Sequence, residues 1–211
     1  MEFYLTYDGR LPASGGEETV KVKHEIRKSI HRQLAELWDT RPELQALGNQ
    51  LVTLSGYPGQ LHYIDAAAMT FAVDDFRFVP LVTGDLNLLC HLDILFLRRD
   101  DTTALITKPK DEYGGDLDNR LKIFLDALRI PNNKSELPRG SAVDADESPY
   151  FFCLVQDDSL ISKFQLEGAK LLVKPSAQPT AKDAEKHVRL VVKVTVKTTM
   201  LTMQNMSFLS G

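Results

Sequence analysis

The residues of this chain best suited to chemistry are carboxylates. Asp116-Leu117-Asp118-Asn119 is followed by Lys122 and Asp126, and Asp157-Asp158 stands about forty positions farther on. Carboxylates contributed by separate elements hold hard divalent cations, which take oxygen ligands. An ion held in this way polarises a phosphoryl oxygen and lowers the pKa of a bound water, so phosphodiester hydrolysis is the chemistry to weigh first. Lys122 is a point cation one turn into the expected helix. It is placed to contact a scissile phosphate and to stabilise charge developing there. Each piece also has an ordinary reading. Asp116 or Asp118 can cap a helix, Asp118 and Lys122 can form an exposed i, i+4 pair, and Asp157-Asp158 can be a simple turn. Only the combination carries the metal reading.

Two elements must position these groups. Leu117, Leu121, Phe124, Leu125 and Leu128 form one helical stripe, and the helix ends before Pro131. Asp118, Lys122 and Asp126 share a second stripe, rotated by about 100° from the first. Leucines buried on a sheet therefore set the Asp/Lys row at the margin of the core. Tyr150 to Gln156 reads as a strand, and the Asp pair follows it directly. A strand end abutting the helix start brings Asp116, Asp118, Asp157 and Asp158 into one pocket. Their mutual repulsion there favours a bound Mg²⁺ or Mn²⁺.

The remaining chain reads as a mixed α/β protein. Phe3–Tyr7 predicts a first strand, and 8–18 a loop. With Thr19 as N-cap, Val22, Ile26, Ile30, Leu34 and Trp38 predict a long amphipathic helix. Within 41–85, the segments 66–73 and 76–82 read equally as strands or short helical pieces. Leu86–Leu97 predicts a central strand buried on most of both faces, and 102–108 another strand or a hairpin arm. Pro131–Pro149 is rich in turn residues and predicts an exposed, mobile loop. Strands are expected over 164–173 and 188–196, the latter from its clean period-two alternation. The last stretch carries Met200, Met203 and Met206 and packs on the body or on a partner.

Composition narrows the classes. The chain has 211 residues and 43% hydrophobic content, enough for one sizeable core. No apolar run is long enough for a membrane helix. The N-terminus lacks the basic start and apolar run of a signal peptide. Cys90 and Cys153 fall in strand-like segments without disulfide or zinc spacing, so a cytoplasmic protein is expected. The net charge is −4, which excludes a broadly basic surface. Local basic stretches remain, with five Lys/Arg against one Glu over 19–34 and eight against three acids over 163–200. Each reads as a nucleic-acid surface or as the solvated face of an element. An EF-hand is excluded because Leu121 stands where its loop needs glycine. No phosphate-cradling loop is present, and the five histidines have neither metal nor triad spacing.

Asp116-Leu117-Asp118-Asn119-x-x-Lys122, then Asp126-Ala127-Leu128, then Asp157-Asp158-Ser159-x-Ile161 resembles the RusA family of Holliday junction resolvases. The expected order of elements is similar to that family's as well. The resemblance implies a single α/β (α+β) domain over 1–211, a mixed β-sheet packed by helices, with two insertions at about 40–85 and 129–150. It implies that Asp116, Asp118 and Asp158 are catalytic metal ligands and that Lys122 is the catalytic lysine. Asp157 would be a further metal ligand or structural, and Asp126 auxiliary or structural. It implies a Mg²⁺-dependent homodimer, with Mn²⁺ able to substitute, that cleaves branched DNA in recombination and repair. Two departures bear on the substrate. Glu112-Tyr113-Gly114-Gly115 stands where the family tends to carry arginines, and the overall charge is acidic. The 129–150 insertion is expected to overhang the active site or, like the C-terminal tail, to meet a protein partner. The alternatives are a non-catalytic DNA-binding or protein-interaction subunit, and a nuclease for another nucleic acid within a larger assembly.

Overall fold

The computed structural model describes residues 1–12, 16–98, 117–172 and 187–209. Those residues form a mixed α+β protein with four helices and nine strands. The expected strand at 102–108, the loop at 111–115 and Asp116 itself lie outside the described residues.

Four strands make the main sheet. β1 (Glu2–Arg10), β9 (His187–Thr198), β6 (Leu88–Arg98) and β8 (Ile161–Lys170) lie side by side in that order. β9 runs antiparallel to both β1 and β6, and β8 runs parallel to β6. Alternation in the sequence fixes the faces. Leu5, Leu92, Ile94, Val192 and Val194 point to one side and are buried, while Tyr4, Asp93 and Lys193 point to the other. The sequence predicts β6 to be buried on most of both faces. It instead alternates, because only one side of this sheet is covered by helix among the described residues.

The covering element is α1 (Glu17–Thr40). Val22, Ile26, Ile30, Leu34 and Trp38 recur every four residues and are all buried. Thr19 is not the N-cap. Gly16 holds that place at φ 114°, a region that excludes larger side chains, so the helix starts earlier and Thr19 is buried in its first turn. Glu17 and Glu18 then complement the positive helix end.

The far side of α1 meets a second, three-stranded sheet of β4 (Ala72–Val73), β5 (Phe76–Val82) and β7 (Phe151–Val155). β5 and β7 pair in parallel and are buried almost throughout, which explains their lack of alternation. The ambiguous 66–73 segment resolves into helix α3 (Tyr63–Thr70) and β4, and 76–82 into β5. The remaining elements are α2 (Pro42–Gly48), a ribbon of β2 (Leu51–Val52) with β3 (Leu61–His62), and α4 (Leu117–Leu128). The tail is pinned by buried Phe208 and Asn205. The Asn205 amide donates to the carbonyls of Leu86 (2.7 Å) and Met200 (2.8 Å). No helix among the described residues is long and apolar enough to cross a membrane.

Candidate functional site

α4 carries most of the expected site. Its buried side is formed by Arg120, Ile123, Phe124, Ala127 and Leu128, while Leu117, Leu121 and Leu125 are only partly covered. The helix is therefore rotated somewhat from the orientation that the leucines alone predict. Arg120 supplies the reason. It sits inside the contact face and donates to the carbonyl of Leu11, tying the start of α4 to the end of β1's segment. Asp118 lies in the first helical turn. Lys122 follows one turn later and is exposed, at the margin of the core where its stripe predicts it.

The second carboxylate pair follows β7 as expected. Asp157 caps a 3-10 turn over Asp158–Leu160 by accepting the Ser159 backbone N–H at 3.0 Å. The Ser159 hydroxyl and that N–H hold the Asp157 carboxyl below the usual range. Arg129 and the adjacent Asp158 carboxyl contribute less. Asp158 is exposed. The turn packs against both α4 and β6, although about forty residues of chain separate it from the start of that helix. The structure also places Arg129, just past the end of α4, in bridge pairing with Val155 and within electrostatic reach of Asp157 and Asp158. No local pattern marks this arginine's position, because no spacing rule links a residue after a helix to a turn after a strand.

Asp126 stands apart. Its carboxylate accepts from Lys23 of α1 at 2.6 Å, and both side chains are largely buried. Its place is the α1–α4 seam, in keeping with a structural role. Asp116 lies outside the described residues, as does the Asp118 side chain. Among the described residues no group of three or more His, Cys, Asp or Glu side chains is gathered closely enough to hold a metal ion.

The 129–150 segment is bonded to the body of the molecule. It forms two 3-10 turns, Lys134–Glu136 and Ala145–Glu147, and runs as a strap along α1. Arg27 donates to the carbonyls of Asp126 (3.2 Å), Arg129 (3.4 Å) and Glu136 (3.3 Å). Lys28 meets Asp144 at 2.6 Å and Glu147 at 3.1 Å, and Arg32 meets Asp146 at 2.9 Å. His31 accepts the Phe152 N–H on Nδ1, so its proton is on Nε2, which donates to the Asp146 carbonyl at 2.8 Å. The strap leaves the C-terminal end of α4 and is tied along α1 by these contacts. The basic 19–34 stretch is thus largely engaged within the molecule. On β9, Arg189 likewise pairs with Asp8, and Lys193 with Glu2 at 3.0 Å.

Comparison with family models, with curated proteins and with solved structures finds no match to this chain.

Proposed function

We propose that this chain is a Mg²⁺-dependent, structure-selective endodeoxyribonuclease that hydrolyses phosphodiester bonds in branched DNA, as its resemblance to the RusA resolvases implies. One observation carries the reading: the turn bearing Asp157 and Asp158 packs on the helix that bears Asp118 and Lys122. The donor chemistry fits a hard cation. Every proposed ligand is a carboxylate, and Asp158 is exposed with no Lys or Arg ion pair among the described residues.

Asp116, Asp118 and Asp158 would hold the ion, with Asp157 as a further oxygen donor. A Mg²⁺ bound there supplies Lewis acidity and a water of lowered pKa. Lys122, exposed on α4 one turn after Asp118, would bind the phosphate and stabilise the added charge of the transition state. Paired incisions across a junction need two such sites, which a two-fold dimer provides.

One observation favours a rival, in which the fold serves as a DNA-binding or protein-interaction subunit. Asp157 already uses an oxygen to cap its own turn, as a purely structural residue would. Incubating a labelled four-way junction with purified protein and Mg²⁺ or Mn²⁺, against EDTA, separates the two. Metal-dependent nicking that disappears in Asp118→Asn supports the nuclease. Junction binding without nicking under either metal supports the rival.

A further inference from the structure

At the far end of α1 from Lys23 lies a cleft of about 330 Å³ between α1, α2, α3 and the 146–152 segment. It is roughly 20 Å along the helix from the α1–α4 seam. Its apolar wall is built from Trp38, Leu44, Ile64, Tyr150 and Phe152. Trp38 and Phe152 stack with centroids 5.6 Å apart, and Tyr150 meets Phe152 edge-on at 6.1 Å. The volume falls in the range of small-molecule sites.

The charged side chains of the lining have one sign. No Lys, Arg or His lines the cleft, whereas Asp39 and Asp146 do. Asp146 is matched by Arg32. Asp39 has no ion-pair partner among the described residues. The Tyr150 hydroxyl is committed to Asp65 at 2.7 Å. The Gln45 amide N–H donates to the Asp39 backbone carbonyl, which leaves the Gln45 oxygen as an acceptor. An aromatic wall, an exposed carboxylate without an ion pair and a free acceptor favour the same guest.

We infer that this cleft binds a small organic cation, a primary ammonium carried on a short aryl or alkyl body. The body lies against the apolar wall of Trp38, Tyr150 and Phe152. The ammonium sits at Asp39, with the Gln45 oxygen as a second acceptor. An anion finds no donor charge in the cleft, and a neutral guest leaves Asp39 unmatched.

Trp38 is the only tryptophan in the chain, so its fluorescence reports on this cleft alone. Titration of the full-length protein with 2-phenylethylammonium, 2-phenylethanol and 3-phenylpropionate tests the inference, read by Trp38 emission and by the single indole N–H cross-peak. A saturable change is expected with the ammonium, half-complete at about 0.1–1 mM. The neutral alcohol should bind about 10-fold more weakly and the carboxylate not at all. Asp39→Asn, an exposed substitution verified by its melting curve, should weaken ammonium binding about fivefold and leave the alcohol unchanged. No saturable response to any probe would overturn the inference. So would equal affinity for ammonium and alcohol, or an Asp39→Asn protein that binds the ammonium as before.

Discussion

Lys122 and His24 show how differently two polar residues can stand in this fold. Lys122 is exposed one turn into α4, as its spacing from Asp118 predicts. Under the proposed mechanism, Lys122→Ala folds normally and loses about 10²–10³-fold in junction cleavage rate, measured at saturating Mg²⁺. His24 is buried between Phe76 and Phe151, and neither ring nitrogen has a hydrogen-bond partner among the described residues. Burial pushes its pKa down to about 4, with Lys28 and Arg27 adding to the effect. The folded state thus resists a proton that the unfolded chain accepts below about 6.5. Stability from this group is fully present above that pH and falls as the pH drops toward 4, by at most about 3 kcal/mol. Urea midpoints measured between pH 7 and 4 should therefore fall less steeply for His24→Phe than for the parent. Equal slopes would contradict this account of His24. The type and position of Lys122 were legible in the sequence. The solitude of His24 was not, because it depends on which aromatic rings two distant strands place around it.

At the scale of elements, periodicity revealed most of the scaffold. The alternation over 188–196 became β9, the every-fourth-residue stripe became α1, and the leucine stripe became α4. Three features escaped. The start of α1 depends on a backbone angle open to Gly16. The orientation of α4 depends on Arg120, whose buried bond to Leu11 a hydrophobic count treats as surface. The strap over 131–149 looks like a mobile loop by composition, yet its acids Glu136, Asp144, Asp146 and Glu147 meet the bases of α1. Such pairing across about one hundred residues has no local signature. Arg27 is the centre of that seam, almost wholly buried and bonded to three carbonyls. Arg27→Met should cost about 3 kcal/mol in chemical unfolding, because the carbonyls stay buried without a donor. Asp126→Asn should cost less, since the amide oxygen still accepts from Lys23. If Arg27→Met is as stable as the parent, the strap is not held as described.

At the scale of the whole molecule, two sheets enclose α1, and one hydrophobic cluster runs through both together with α4. Cys90 lies in this cluster and Cys153 in a second, smaller one with Phe76, Phe78 and Phe151, and burial pushes both thiols up to about 12. Neither should react with a thiol reagent near neutral pH until the protein unfolds, and the rate of labelling in urea should track the loss of secondary structure. Early labelling of Cys153 alone would show that the second sheet opens separately. The central claim also belongs to this scale, since it concerns groups that only the complete fold can bring together. It is tested most directly by titrating Mn²⁺ into the protein and following the free-ion EPR signal for the parent, Asp118→Asn and Asp158→Asn. The account predicts a saturable site in the parent that weakens at least about 10-fold in each single variant, because one ion draws on both segments. Unchanged Mn²⁺ binding in Asp158→Asn, alongside its loss in Asp118→Asn, would contradict a shared ion and with it the proposed active site.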